Sequence, residues 1–132
     1  LNGGKGNDTL LGGGGSDILI GGKGKDNLTG GAGKDEFVFE TLKDGKDTIT
    51  DFKHKKDLIN VSNIFKADKF KASSSLEQFR QFIDLKEKRG GSTEVRIDKD
   101  GSGSGQKYTS LAILEGVAPN KLNASNFIFS ES

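Results

Sequence analysis

The sequence predicts an all-β fold: a parallel β-roll of stacked nine-residue repeats, continued and capped by a C-terminal β-rich segment with at most one short helix. Three observations predict it. A unit G-G-x-G-x-D-x-U-x, with U a large apolar residue, runs four times in tandem at 3–11, 12–20, 21–29 and 30–38. The U place is held in fixed phase by Leu10, Leu19, Leu28 and Phe37. Beyond the repeats, short alternating segments are separated by Gly-, Ser- and Asp-rich turns, which is the pattern of strands.

Each nonapeptide reads as one turn and one strand. Glycines at the first, second and fourth places admit backbone that a Cβ would forbid, and they turn carbonyl oxygens inward at close range. The last three residues form a strand whose central side chain enters the coil, because side chains alternate faces. Two nonapeptides close one coil, so repeats eighteen residues apart stack at roughly 4.7–4.9 Å. Asp8 then lies over Asp26, and Asp17 over Asp35. Two bare carboxylates at that spacing repel by about 3.5 kcal/mol at an effective dielectric of 20. A cation between them reverses the sign, and hard oxygens suit Ca²⁺.

The candidate metal ligands are therefore the carboxylates of Asp8, Asp17, Asp26 and Asp35, with backbone oxygens of Gly4, Gly6, Gly13, Gly15, Gly22, Gly24, Gly31 and Gly33. Ordering so many glycines costs unusual conformational entropy. Metal binding is then the folding energy of this half. A flexible Gly-rich linker is the plain alternative, but a linker has no reason to phase Asp and a large apolar residue four times. A phosphate-binding loop would need a following G-K-[ST] and a long helix, and neither is present. Leu1 lies nine residues before Leu10, in phase, so the chain is expected to start inside an earlier repeat.

Composition fits a chain that needs help to fold. Of 132 residues, 31% are hydrophobic, low enough that metal must supplement the core. There is no cysteine, so a secreted chain of this kind needs a staple other than a disulfide. No apolar run approaches transmembrane length, so no membrane insertion is expected. Net charge is +1, because Lys5, Lys23, Lys25 and Lys34 fill free places in the repeats and offset the aspartates. The basic segment 53–56 is short and lacks interleaved aromatics, so it reads as a solvated turn and not a nucleic-acid patch.

The second half alternates strands and turns. Residues 47–52 (D-T-I-T-D-F) and 57–61 (D-L-I-N-V) read as strands. Gly45, Asp47 and Ile49 keep the places of a degenerate fifth repeat, so Asp47 or Asp51 is a candidate to close the last metal site, with a surface carboxylate as the alternative. Ser74 and Glu77 are spaced as a capping box, which predicts a short helix over 74–79. Strands are expected at 81–87, 93–98 and 107–115, joined by turns at 89–92 and 100–103, as an antiparallel meander capping the coil. Residues 98–101 (D-K-D-G) suit a hairpin turn better than a calcium loop, since the downstream acidic ligand of an EF-hand is missing. A final apolar strand is expected within 122–129. The division is 1–52, a roll with calcium sites, and 53–132, a β-rich cap carrying secretion information.

The nonapeptides of residues 3–38 resemble those of the repeats-in-toxin (RTX) proteins, whose tandem glycine-rich repeats form a parallel β-roll. The resemblance implies that Asp8, Asp17, Asp26 and Asp35, with turn carbonyls, bind Ca²⁺. The second half is similar to the C-terminal region of type I secreted bacterial proteins, through D-T-I-T-D-F at 47–52, D-L-I-N-V-S at 57–62 and R-I-D-K-D-G at 96–101. Two relatives compete. One is the C-terminal end of a large surface adhesin, read by an ABC-transporter exporter. The other is the R-module of mannuronan C5-epimerases, similar in length, in order of parts and in an ending like L-N-A-S-N-F-I-F at 122–129. Those modules bind calcium and assist a catalytic module on a polysaccharide. The lysine-rich composition here departs from the acidic epimerase modules.

An enzyme is not expected. The one histidine, His54, lies in a lysine-rich turn, and the serines at 73–75 lack a nucleophile elbow. The expectation is a monomeric, calcium-dependent extracellular folding module carrying a secretion signal, with an adhesin as parent. The epimerase R-module, binding an extracellular polysaccharide, is the alternative. Extracellular calcium modules bind with Kd near 10⁻⁴–10⁻³ M, so such repeats stay unfolded at cytosolic calcium and fold outside.

Overall fold

The computed structural model describes residues 1–42, 46–66, 72, 74–98 and 108–129. Each repeat yields one three-residue strand: β1 (Thr9–Leu11), β2 (Ile18–Ile20), β3 (Asn27–Thr29) and β4 (Glu36–Val38). β5 (Asp47–Ile49) and β6 (Leu58–Asn60) continue the series. Successive strands fall in opposite sheets and pair in parallel with the strand one coil away. Leu10 pairs with Leu28, and Leu19 with Phe37, which is the eighteen-residue step. The step lengthens where the glycines thin out: Leu28 pairs with Ile49, and Phe37 with Ile59.

The cap follows. α1 (Ser62–Phe65) is one turn, and α2 (Ser75–Phe82) is two. β7 (Ile83–Lys88), β8 (Ser92–Asp98) and β9 (Tyr108–Leu114) form the antiparallel meander, and β10 (Phe127–Ile128) ends the described chain. One sheet runs β1-β3-β5-β9-β8-β7; the other runs β10-β6-β4-β2. The meander thus extends one face of the roll, since β9 pairs in parallel with β5, Ile113 opposite Thr48.

Two details differ from expectation. Among the described residues there are two short α-helices, where the sequence predicts at most one. α1 has no side-chain cap, and its buried Ile64 and Phe65 hold it against the core, a tertiary cause invisible to local pattern. α2 is capped as the spacing predicts, Ser74 Oγ accepting from Glu77 N–H, but it runs on through Gln81 and Phe82, which the sequence pattern places in a strand. Phe79 packs on Phe127, and Phe82 on Phe65, so one helical face holds both rings. Gly45 and the turn at 100–103 lie outside the described residues.

The in-pointing residues Leu19, Leu28, Phe37, Ile49 and Ile59 are fully buried and stack as a ladder. The core widens into the cap, where Phe65 meets Phe129 edge-on at 4.9 Å and Val95, Ile97, Leu111 and Leu114 close the sheet. It thins at the other end, where Leu10, the in-pointing residue of the first repeat, is only partly buried.

Candidate metal centre

The stack presents two columns of turns, one on each edge. The first holds 3–8, 21–26 and, at its end, Asp47; the second holds 12–17, 30–35 and 51–57. Within each column the aspartates lock in register. Asp8 N–H donates to Asp26 Oδ1 at 2.7 Å, and Asp26 N–H to Asp47 Oδ1 at 2.9 Å. Asp17 N–H donates to Asp35 Oδ1 at 2.9 Å, and Asp35 N–H to Asp57 Oδ1 at 2.9 Å. Asp26, Asp35, Asp47 and Asp57 are each at most 2% exposed.

The second carboxylate oxygen tells the rest. Oδ2 of Asp8, Asp17, Asp26 and Asp35 is buried with no hydrogen-bond partner. A buried charged acceptor left unpaired costs more than the ordinary 1–3 kcal/mol or so of an unmade hydrogen bond. Four repeats carrying the same orphan in the same place is a built feature. Each orphan sits in a cradle closed by the first glycine of its own turn. A Cβ on Gly12 would stand 2.7 Å from Asp17 Oδ2 and 2.6 Å from Gly30 O; one on Gly3 would stand 2.8 Å from Asp8 Oδ2 and 2.8 Å from Gly21 O.

The glycines at the second and fourth places are the other ligands expected from the sequence. Gly4, Gly6, Gly13 and Gly15 and their counterparts Gly22, Gly24, Gly31 and Gly33 all have positive φ, from 82° at Gly4 to 111° at Gly24. A Cβ on Gly22 or Gly24 would land on the carbonyl of Gly4 or Gly6, and one on Gly31 or Gly33 on that of Gly13 or Gly15. These carbonyls therefore face the next coil. Among the described residues no three His, Asp or Glu side chains converge, so a bound ion must draw most of its donors from the backbone. All-oxygen donors with few carboxylates suit Ca²⁺ and leave no soft ligand for zinc or copper.

Charge works in the same direction. Burial raises the Asp35 carboxyl above the ordinary carboxylate range. The Asp57 and Asp17 carboxylates push it further, while the Asp17 N–H and the Lys53 charge only partly offset the rise. A divalent cation beside Oδ2 would relieve that.

Sequence reasoning missed Asp57, although Asp57-Leu58-Ile59 keeps the D-x-U phrase of the repeats. The other two late candidates are placed as follows. Asp47 lies in the first column, with its Oδ2 3.1 Å from where a Cβ on Gly21 would be. Asp51 accepts N–H groups from Gly30 and Gly31 at 2.9 and 2.8 Å and stands 3.5 Å from Lys53 Nζ.

These stacked turns define a calcium-binding repeat module. Residues 1–37 match the family model of the RTX calcium-binding nonapeptide repeat, in four copies. Over its whole length the chain is similar to the AlgE6R3 subunit of the mannuronan C5-epimerase from Azotobacter vinelandii, known from a solution structure. The two are 28% identical, the match covers 98% of this chain and 71% of that one, and the TM-score is 0.68. No curated protein matches the chain. The metal of the repeats is Ca²⁺, and the fold is the all-β parallel roll.

Proposed function

We propose that this chain is a calcium-dependent folding module of a secreted bacterial protein, non-catalytic itself, and that it serves beside a partner acting on an anionic polysaccharide. The observation that carries the first part is the set of four buried, unpartnered Oδ2 atoms on stacked turns. Such a stack is poor at low calcium and good at high calcium. A tenfold excess over Kd adds roughly 1.4 kcal/mol per site. The repeats therefore stay unfolded and threadable inside the cell, suited to a type I exporter, and fold outside.

The test is circular dichroism in calcium and in EGTA. Loss of the β signal of the roll, at least residues 1–52, is the expected outcome on chelation, and an unchanged spectrum would sink the reading.

The polysaccharide role rests on the full-length likeness to the epimerase subunit, which favours that parent over an adhesin. The surface agrees with it. Lys5 and Lys23 share a place one coil apart, with Lys25 two residues on, so positive charge repeats along one edge of the roll. Folded protein is expected to bind mannuronan oligomers at low ionic strength and release them as salt rises past a Debye length of roughly 8–10 Å. Export is tested separately, by fusing residues 1–132 behind a slow-folding passenger in a host with a type I system and then removing residues 122–132. Export unaffected by the truncation would remove the terminal segment from the secretion signal.

A further inference from the structure

We infer that the ammonium group of Lys53 ends the calcium ladder in the second column of turns, holding the position that the next ion would otherwise take. The inference rests on reading the roll as calcium-held. In the repeats, the second-place carbonyls of Gly4 and Gly13 face the coil beyond them, where a Cβ on Gly22 or Gly31 would strike them. Gly31 O occupies the same place one step further along the second column. It faces the 51–57 turn, and there it accepts a hydrogen bond from Lys53 Nζ at 2.5 Å.

Two further changes mark the same turn as the end. Asp51 follows Ile49 by two residues, as Gly30 follows Leu28, so it stands where the repeats have their first glycine. Its carboxylate is held by the Gly30 and Gly31 N–H groups and lies 3.5 Å from Lys53 Nζ. Asp57, the aspartate of this turn, has no orphan oxygen. Oδ1 accepts from Asp35 N–H and Oδ2 from Lys53 N–H, each at 2.9 Å. Lys53 thus satisfies the turn twice, with its backbone on Asp57 and its side chain between Gly31 O and Asp51. The protein carries its own cation where the roll meets the cap, on the Gly31 and Asp51 side of that gap.

The experiment compares wild type, Lys53→Gln, Lys53→Arg and Lys55→Gln by equilibrium dialysis and by calcium titration of the β signal. Lys53→Gln is expected to bind one more calcium per chain than wild type and to fold at a calcium midpoint several-fold higher. Lys53→Arg and Lys55→Gln are expected to match wild type. An unchanged calcium count in folded Lys53→Gln overturns the proposal, whether or not its stability falls. Should Lys53→Gln not fold, the wild-type protein still decides by side-chain NMR. The Lys53 ammonium hydrogens are expected to exchange with water more slowly than those of Lys55 and Lys56, and equal exchange overturns the proposal. A wild type that binds no calcium at all would instead refute the folding-module reading.

Discussion

The aspartates of the roll are alike in sequence and unlike in position. Asp26 takes the Asp8 N–H and gives its own to Asp47, so it belongs to two gaps; Asp8 belongs to one. Asp26→Ala is therefore expected to raise the calcium midpoint about tenfold more than Asp8→Ala, one decade per 1.4 kcal/mol or so. Equal midpoints in paired titrations would argue against the eighteen-residue register. Glycines divide in the same way. Gly12→Ala puts a methyl into the Asp17 cradle and is expected to weaken calcium binding, whereas Gly14 has open space around it and Gly14→Ala is expected to be nearly silent. Asp35 sets a pH dependence. Its raised carboxyl favours the protonated form in the calcium-free fold, so that fold loses stability as pH rises from the ordinary carboxylate range through the raised value. Calcium needs the carboxylate, so its apparent affinity falls on acidification through the same window. Asp35→Asn should flatten this part of the midpoint–pH curve; a wild-type midpoint that ignores pH there would refute the assignment.

The elements show what was legible and what was not. β1 to β4 could be read because turn and strand are both local: glycines allow the turn, and one in-pointing residue defines the strand. β8 could be read from Val95 and Ile97, which bury on the core side. In β9 the alternation of Leu111 and Ile113 holds only for Leu111, because the pairing shifts register between Val95 and Arg96, and Leu114 is buried while Ile113 is only partly so. Asp57 escaped because its turn has no glycine and its strand β6 pairs at a longer step, so the phase that identified the others was broken. α1 escaped because four residues carry too little local signal, and only the burial of Ile64 and Phe65 makes it a helix. Phe65 touches both Phe82 and Phe129, tying α1 to α2 and to the chain end. Phe65→Ala is expected to cost about 3–5 kcal/mol, a loss that thermal melts should show even in saturating calcium. Glu94 is a smaller joint in the meander. Burial acts to raise its carboxyl, but hydrogen bonds from Ser110 and Lys88 and the Lys46 charge outweigh burial and hold it low.

At the scale of the whole molecule, two kinds of stability meet at β5. Toward β1 the coils are narrow, glycine-rich and lined with unpaired carboxylate oxygens. Toward β7 the sheet is antiparallel, wide-stranded and backed by a phenylalanine cluster. Chelation should therefore act unevenly. In EGTA, hydrogen exchange is expected to lose protection first in β1 to β4, and last in β8 and β9. Uniform loss along the chain would mean that roll and cap form one cooperative unit. Secretion and parentage were not legible in the chain's physics, because both are read by partners outside it.

The widening of the core toward one end gives assembly a direction. Each coil of the roll touches chiefly the coil before and the coil after it, as in any solenoid. The cap alone offers a finished apolar surface, and β5 on β9 is where the first coil can settle. A newly exposed chain would then crystallise from its C-terminal seed, one coil at a time, with the growing front moving toward the N-terminus. A defect in β4 would stop that front before it reached β2, while a defect in β1 would leave everything behind it already set.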